Sequence, residues 1–460
     1  MDKETYTKDD FFGQFKDLTV FDCGKFNLSK VVIDSFFRKI GNKHTSFIEF
    51  DKPELMVRLL RFYKRITSKR HNLHTPDGDK KIIAIVPARY VSDSLGETNH
   101  LYLERIYETI GIDNLLEVNT LPKVSSINGY NISEIYTRYN NFALSSEDKI
   151  VLQNLKRCYK SILYDKKLST RQLKDLKAGF DRFWKDYKIW CDFLRKHTFQ
   201  KAILIPGYQT EAIIAALKSN NVEVIELQHG VISPSSNFHV YPEIIKPVAS
   251  RALFPDKVWL FGSFWRLLLL EGYEYEAGQL EVIGDYFYKH NEKLTAEQHA
   301  FINEVKKFKK VILIGTQYRR TRYFIDYISN YLVHHIDADT VLVIKPHPLE
   351  EVNSYLALEK HHQVKITTTS LDALYPIANV YVSIYSNTYF EASKYKHLTC
   401  FALYNEEWKS LIDDIVQLGV AHKLLPTENP LSKVDSIIVA ENKEAYFESF
   451  DPGLLKNLIC

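Results

Sequence analysis

Short runs of aliphatic and β-branched residues, each broken by glycine, proline or a polar cluster, recur along most of this chain. Lys81-Ile-Ile-Ala-Ile-Val86 stops at Pro87, Lys201-Ala-Ile-Leu-Ile205 at Pro206-Gly207, and Val222 to Leu227 runs into Gln228-His229-Gly230. Trp259-Leu-Phe261 ends at Gly262 and Val282-Ile283 at Gly284; further on, Val311 to Ile314 ends at Gly315 and Val341 to Lys345 at Pro346. Val380 to Ser383 and Leu398 to Leu403 complete the series. Continuous apolar runs of this kind, rather than alternating ones, are the pattern of strands buried on both faces. Segments of helical length lie between them, such as Leu101 to Ile110, Thr210 to Leu217, Arg320 to His334 and Thr388 to Tyr395. Strands alternating with helices predict parallel sheets. The rhythm occurs twice, so two α/β halves are expected, with their carboxyl-end loops pointing into a shared cleft.

The flanking and intervening segments divide the chain further. Residues 1–80 read as a helical N-terminal segment without a sheet pattern, 81–250 as a first α/β domain, 251–405 as a second, and 406–460 as a helical tail able to cross back over the first. A helical insertion at about 145–197 interrupts the first domain. Its Phe180, Phe183, Trp184, Tyr187, Trp190 and Leu194 recur at helical spacing, which is the pattern of a core-facing stripe. From Pro53 to Arg70, Leu55, Leu59, Phe62, Tyr63 and Ile66 alternate with Arg58, Arg61, Lys64, Arg65, Lys69 and Arg70. A basic amphipathic helix of this kind packs on its own domain with its cations in solvent, or lies on an anionic membrane surface.

Composition narrows the function classes. A chain of 460 residues, 45% hydrophobic and 25% charged, is too long for one compact core and ordinary for a multidomain globular protein. The net charge of +3 does not create a nucleic-acid-binding field, so an anionic ligand must be met locally. Cys23, Cys158, Cys191, Cys400 and Cys460 form no CxxC pair and are odd in number, arguing against a disulfide framework or a structural zinc site and fitting a reducing cytoplasm. Neither a signal peptide nor an apolar run of about 20 residues is visible, so an integral membrane protein is not expected.

The candidate chemistry lies where strands end. His347, bracketed by Pro346 and Pro348, is fixed at the carboxyl end of a strand, and ligands of open α/β sheets bind at that edge. Ser386-Asn387-Thr388 links a strand to a helix, so hydroxyls and unpaired backbone N–H groups are expected together at a helix N-terminus, a ready phosphate site unless Ser386 merely caps the helix. Glu391, one turn on, is placed to accept from a ribose diol. In the first domain, Asp93 and Glu97 lie in a polar loop after the first strand, where they could face a substrate or cap a helix. His229 and Gly230 open a long loop containing Ser233, Pro234, Ser235, Ser236, His239, Tyr241 and Pro242, of the length usually reserved for function.

Gln228-His229-Gly230, Gly284-Asp285, Lys345-Pro346-His347-Pro348 and Ser386-Asn387-Thr388 with Phe390-Glu391-Ala392, in that order, resemble the bacterial GT-B glycosyltransferases of capsule and lipopolysaccharide assembly, including those that transfer Kdo and sialic acid. The resemblance covers roughly residues 200–405 and implies two Rossmann-like domains facing across a cleft. It implies that His347 and Pro348 contact the phosphate of a CMP-sugar, with Lys345 beside them, that Ser386, Asn387 and Thr388 hold phosphate, and that Glu391 holds ribose. Two departures stand out: Asn387 separates the hydroxyls where paired Ser or Thr is usual, and Lys396-His397 replaces the glycine that follows the helix. The activity implied is transfer of a CMP-activated ulosonic acid to a glycan or glycolipid, with a UDP-sugar hexosyltransferase, a UDP-sugar epimerase, a polyol-phosphate transferase or an inactive assembly subunit as alternatives. Gln228 and Gly230 would border the donor sugar, and Arg319 and Arg320 would either meet the donor's carboxylate or stand solvated at a helix start. The candidates for base or nucleophile are Asp93, Glu97 and His229, while a protonated His347 would stabilise the leaving phosphate. No acidic cluster has metal-ligand spacing, so neither metal nor cofactor is expected, and the protein is expected in the cytoplasm with room for peripheral contact with the inner membrane.

Overall fold

The computed structural model describes residues 12–13, 15–24, 26–40, 80–92, 98–121, 129–139, 145–165, 170–232, 239–287, 294–434 and 446–459. The basic stretch 53–70, the loop containing Asp93 and Glu97, and the segment Ser233 to Ser236 lie outside these residues.

The first sheet is built on β1 (Ile82–Val86), which pairs in parallel with β4 (Leu115–Asn119) on one side and β6 (Lys201–Leu204) on the other. Beyond β4 lies β5 (Gly129–Asn131), and beyond β6 come β7 (Glu223–Leu227), β8 (Lys257–Leu260) and β9 (Leu280–Val282), all parallel. Between β1 and β4, a small antiparallel hairpin of β2 (Tyr90–Ser92) and β3 (Thr98–His100) stands apart from the sheet. Side chains of successive strand residues point to opposite faces. Ile83 and Ile85 of β1 accordingly join one apolar cluster while Ile82, Ala84 and Val86 join another.

The first of these clusters contains the aromatic stripe. The helix Thr170–Leu194 buries Phe180, Phe183, Trp184, Tyr187 and Trp190 against the helices Ser29–Ile40 and Glu211–Ser219, so the stripe is core, as its spacing predicts. The helix Ser29–Ile40 is therefore part of the first domain rather than of a separate N-terminal unit.

In the second sheet the spatial order is β12 (Val364–Ile366), β11 (Thr340–Lys345), β10 (Lys310–Gly315), β13 (Val380–Ser383), β14 (Thr399–Leu403) and β15 (His422–Leu424), again all parallel. Two Rossmann-like sheets with helices on their faces make the GT-B architecture. Two expected boundaries move. A domain break at residue 250 would cut the first sheet, because Ile225 of β7 pairs with Lys257 and Val258 of β8 with Leu280. The tail is not wholly helical either, since β15 adds to the second sheet. Both shifts have one cause: an apolar run identifies a strand, but sheet membership is decided by which edge its crossover reaches.

The end of the chain crosses to the first domain. Glu448 N donates to Phe261 O at 2.8 Å, Asp285 N to Glu448 O at 2.9 Å, and Asp451 N to Ile283 O at 3.0 Å. The final helix, Pro452–Ile459, packs on the helix Glu104–Ile110, and Lys201 Nζ donates to its terminal carbonyls, Leu458 O at 2.7 Å and Ile459 O at 2.8 Å. Gly284 lies beneath this crossing at φ +85°, where a Cβ would come within 2.3 Å of Ser449 O. Among the described residues no helix is long and apolar enough to cross a membrane.

This packing can be tested at two positions. Gly284→Ala adds a left-handed strain and a clash with the returning backbone, so it should cost about 2 kcal/mol or more and lower the Tm by several degrees, whereas Gly278→Ala, where a Cβ meets open space, should cost little. The second position responds to pH. Glu211 is buried near Asp34 and Lys30, and burial first, then the charge of Asp34, pushes its carboxyl up to about 7 from an ordinary 4.5. The native state then binds more protons than the unfolded state between those values, so stability is lost as pH rises through that window. Glu211→Gln should remove that loss and be the more stable protein at pH 8 by on the order of 2 kcal/mol. Urea unfolding at pH 5 and pH 8 measures it, and identical pH dependence of the two proteins would refute it.

Candidate active site

In the second sheet, successive strands step one way from β10 to β12 and then the other way from β13 to β15. The loops leaving β10 and β13 therefore part, and such a switch point leaves a crevice at the carboxyl edge of the sheet. A cavity of about 890 Å³ occupies it. Thr316 and Gln317 enter from β10, Lys345 to Pro348 from β11, and Ser386, Asn387, Thr388 and Glu391 from β13 and its helix. All seven residues expected to form the nucleotide site are thus brought to one place by topology.

His347 is held by its own turn. Leu349 N donates to its Nδ1 at 3.1 Å, and its backbone N–H donates to Thr316 Oγ1 at 2.9 Å. An Nδ1 that accepts leaves the proton of a neutral imidazole on Nε2. Burial, with Lys345 adding to it, lowers the pKa of His347 from its ordinary value against the opposing pull of Glu350. The ring is therefore a neutral Nε2–H donor, not the cation anticipated for stabilising a leaving phosphate.

The hydroxyls after β13 form a relay. Thr388 Oγ1 donates to Ser386 Oγ at 2.7 Å, Thr388 N also donates to Ser386 Oγ at 3.3 Å, and Tyr381 OH lies 2.5 Å from Thr388 Oγ1. Ser386 accepts in both of its contacts, so its own O–H is the donor left for a ligand. Tyr381 reaches this position because Gly315 has no side chain: a Cβ there would lie 2.3 Å from the tyrosine oxygen. The helix beyond, Thr388–Ala392, has only five residues. So short a helix has little dipole, and the hydroxyl relay replaces the helix terminus expected to hold phosphate. Tyr381 was not legible as a participant, being a strand residue indistinguishable in sequence from core.

A second cavity, about 380 Å³, lies at the carboxyl ends of β6 and β7 and is bordered by Arg89, Tyr208, Gln228, His229 and Gly230. His229 Nε2 is 3.4 Å from Tyr208 OH, and burial first, then the Arg89 charge, brings its pKa down to about 4. It is neutral at pH 7 and has the lone pair a base requires. Gln228 is committed to structure: its Oε1 accepts from Phe261 N at 2.9 Å and its Nε2 donates to Gly230 O at 3.0 Å, which shapes the His229 turn. The two cavities meet at Asn387, which borders both, and a Cβ on Gly230 would lie 3.3 Å from Asn387 Nδ2.

Arg319 and Arg320 go elsewhere. The Arg319 guanidinium lies 5.2 Å from the Tyr318 ring centre, on a backbone at φ +67°, and that of Arg320 lies 4.4 Å from the Trp408 ring centre with Nε 3.4 Å from Tyr385 OH. Neither borders the cavity. Of the three candidates for base or nucleophile, His229 alone is among the described residues.

No protein-family model matches the chain, and neither does any curated protein. Among solved structures, the UDP-GlcNAc 2-epimerase of Methanocaldococcus jannaschii aligns with a TM-score of 0.44 at 15% identity, covering 82% of this chain and 99% of that one. S. aureus MnaA, in a structure with UDP, aligns with a TM-score of 0.43 at 12% identity over 81% of this chain and 92% of that one. The wall teichoic acid polymerase TagF, in a structure of a variant soaked with CDPG, aligns with a TM-score of 0.39 at 13% identity over 88% of this chain and 96% of that one. These are distant resemblances in chain course, and the chemistry of the site rests on its own geometry.

Proposed function

We propose that this protein is a glycosyltransferase that takes a sugar from a nucleotide-activated donor held in the larger cavity and passes it to a hydroxyl of a glycan or glycolipid in the smaller one. The observation that carries this reading is the meeting of the two cavities at Asn387, with phosphate-type donors on one side and a neutral imidazole on the other. The acceptor oxygen attacks the anomeric carbon, the bond from that carbon to the donor phosphate breaks, and the nucleotide leaves with the electron pair. His229 takes the acceptor proton in this reading. His347 Nε2–H and Ser386 O–H face the oxygen on which charge develops, with the Lys345 ammonium nearby, and donors fixed before the reaction stabilise that charge without reorganising. Glu391 borders the same cavity and is assigned to the ribose diol.

The donor sugar in this reading turns on which cations border the larger cavity. A CMP-activated ulosonic acid brings a carboxylate, and the arginines suited to it are stacked on Tyr318 and Trp408. This favours a UDP-linked neutral hexose over Kdo or sialic acid, with Lys345 the cation through which a carboxylate would otherwise be met. The two donor classes separate in one measurement. A ligand that binds only the folded state raises the Tm, so UDP should stabilise the protein more than CMP, and stabilisation by CMP alone would restore the ulosonate reading.

Two substitutions test the site itself. His347→Ala removes a donor that acts most strongly as the leaving phosphate gains charge, so turnover should fall by about ten- to a thousandfold in a folded protein. Glu391→Gln should instead weaken nucleotide binding, read by calorimetric titration, with a smaller effect on turnover at saturating donor. A folded His347→Ala protein with normal turnover, or unchanged nucleotide affinity in Glu391→Gln, would remove the residue from its role.

A further inference from the structure

The Pro-His-Pro turn ends on a residue that nothing in the preceding reading uses. The carboxylate of Glu350 accepts from three hydroxyls and one backbone N–H: Thr316 Oγ1 in a short contact, Thr321 Oγ1 at 2.6 Å, Tyr355 OH at 3.1 Å and His347 N at 3.2 Å. Its own N–H returns to His347 O at 2.8 Å. These partners come from different parts of the second domain. Thr316 follows β10, Thr321 starts the helix Thr321–Asn330, and Tyr355 lies in the 3₁₀ segment Val352–Lys360. One anion thus ties the turn carrying His347 to the neighbouring loop of the same cavity.

The tie has a chemical consequence. Thr316 Oγ1 gives its proton to Glu350, so its lone pairs are turned towards the His347 N–H, which it accepts at 2.9 Å. Glu350 and Thr316 together therefore fix the backbone of His347, and the closed turn that results presents Leu349 N to the ring Nδ1 at 3.1 Å. The position of the imidazole proton depends on that last contact. A carboxylate is suited to the task because it is acceptor-only with several lone-pair sites, whereas an amide has one acceptor oxygen and two N–H donors that would face other donors.

We infer that Glu350 is the positioning residue that closes the Pro-His-Pro turn and so holds His347 as a neutral Nε2–H donor towards phosphate. This rests on the nucleotide reading of the cavity for its purpose, but not for its geometry. The charged and titratable groups around the ring are Lys345 from β11, Glu350 from the turn and, from the loop after β10, Tyr318, whose ring centre is 6.1 Å away. When the turn is loosened, Nδ1 loses its donor, so the Nε2–H tautomer is no longer favoured, and removing the Glu350 charge also removes the pull that raises the ring's pKa.

The test compares the full-length protein with Glu350→Gln by two readouts. With ring-¹⁵N histidine, and His347→Gln to assign the signal, the unaltered protein should show His347 as the Nε2–H tautomer at pH 8. Glu350→Gln should show mixed tautomers at the same pH. Calorimetric titration with UDP and CMP should give about tenfold weaker binding at pH 8 in Glu350→Gln, the size expected when one well-placed hydrogen bond is lost. If Glu350→Gln fails to fold, Thr321→Val removes one donor while keeping the carboxylate and should shift both readouts in the same direction by less. An unchanged tautomer with affinity within about twofold would overturn the proposal, and tighter binding at pH 8 would show that Glu350 acts by repelling phosphate rather than by placing the ring. Should the unaltered protein bind neither UDP nor CMP, the nucleotide reading fails, and the tautomer alone still decides whether Glu350 positions His347.

Discussion

The face-to-face placement of the two cavities depends on one aromatic junction. Trp265, from the helix Ser263–Leu270 of the first domain, packs 5.0 Å from Phe390 of the site helix and 6.0 Å from Tyr446 of the returning tail, and Phe390 and Tyr446 are 5.4 Å apart. Trp265 also donates its indole N–H to Tyr446 O at 2.8 Å, so the junction has direction as well as bulk. Pairs of this kind contribute about 0.5–1.5 kcal/mol each beyond the area they bury. Phe390 is three residues from Asn387, and holding it against Trp265 brings Asn387 to Gly230. The ion pair of Lys394 with Asp285, at 2.6 Å, secures the far end of the same short helix. A single apolar cluster runs from β1 through the junction to β15, so the two sheets share a core.

Desolvation then sets the chemistry on either side. It lowers the pKa of both His229 and His347, and in neither does a neighbouring carboxylate reverse the effect. The site thus has two neutral imidazoles held differently: His229 lies beside Tyr208 OH, while His347 accepts the Leu349 N–H at Nδ1 and so presents Nε2–H. The same physics explains the arginines. Guanidinium is weakly hydrated and stacks on aromatic faces, and Trp408 and Tyr318 offer such faces to Arg320 and Arg319.

Buried charge in the first domain has a different purpose. Lys30 sends its ammonium to Gly207 O at 2.9 Å and Leu253 O at 3.1 Å, while Glu226 accepts from Gly207 N at 2.8 Å. Gly207 is therefore gripped at both its N–H and its carbonyl, and a Cβ there would fall 2.1 Å from Glu226 Oε2. This grip places Tyr208, and through it the approach to His229. The helix Ser29–Ile40 that supplies Lys30 is in this sense part of the first domain's frame.

By itself the sequence determined the local and one-dimensional features: which runs are strands, that they are parallel and buried, that the aromatic stripe is core, and that His347, Ser386, Thr388 and His229 stand at strand ends. Apolar periodicity and proline or glycine breaks report on backbone state within a few residues, which suffices for these. Tertiary structure decided what depends on groups far apart in the chain. It placed β8 and β9 in the first sheet, because crossovers and not composition choose the edge a strand joins. It put the proton of His347 on Nε2, because that follows from where a turn presents Leu349 N. It turned Arg319 and Arg320 onto aromatic rings, shortened the helix after Ser386 so that hydroxyls replace its dipole, and brought Asn387 to Gly230 across the two domains. Glu350 shows the limit most clearly: in sequence it is one more acid after a proline turn, and only the convergence of Thr316, Thr321 and Tyr355 on its carboxylate gives it a function, because a hydrogen-bond network is a property of positions in space and leaves no period in the chain.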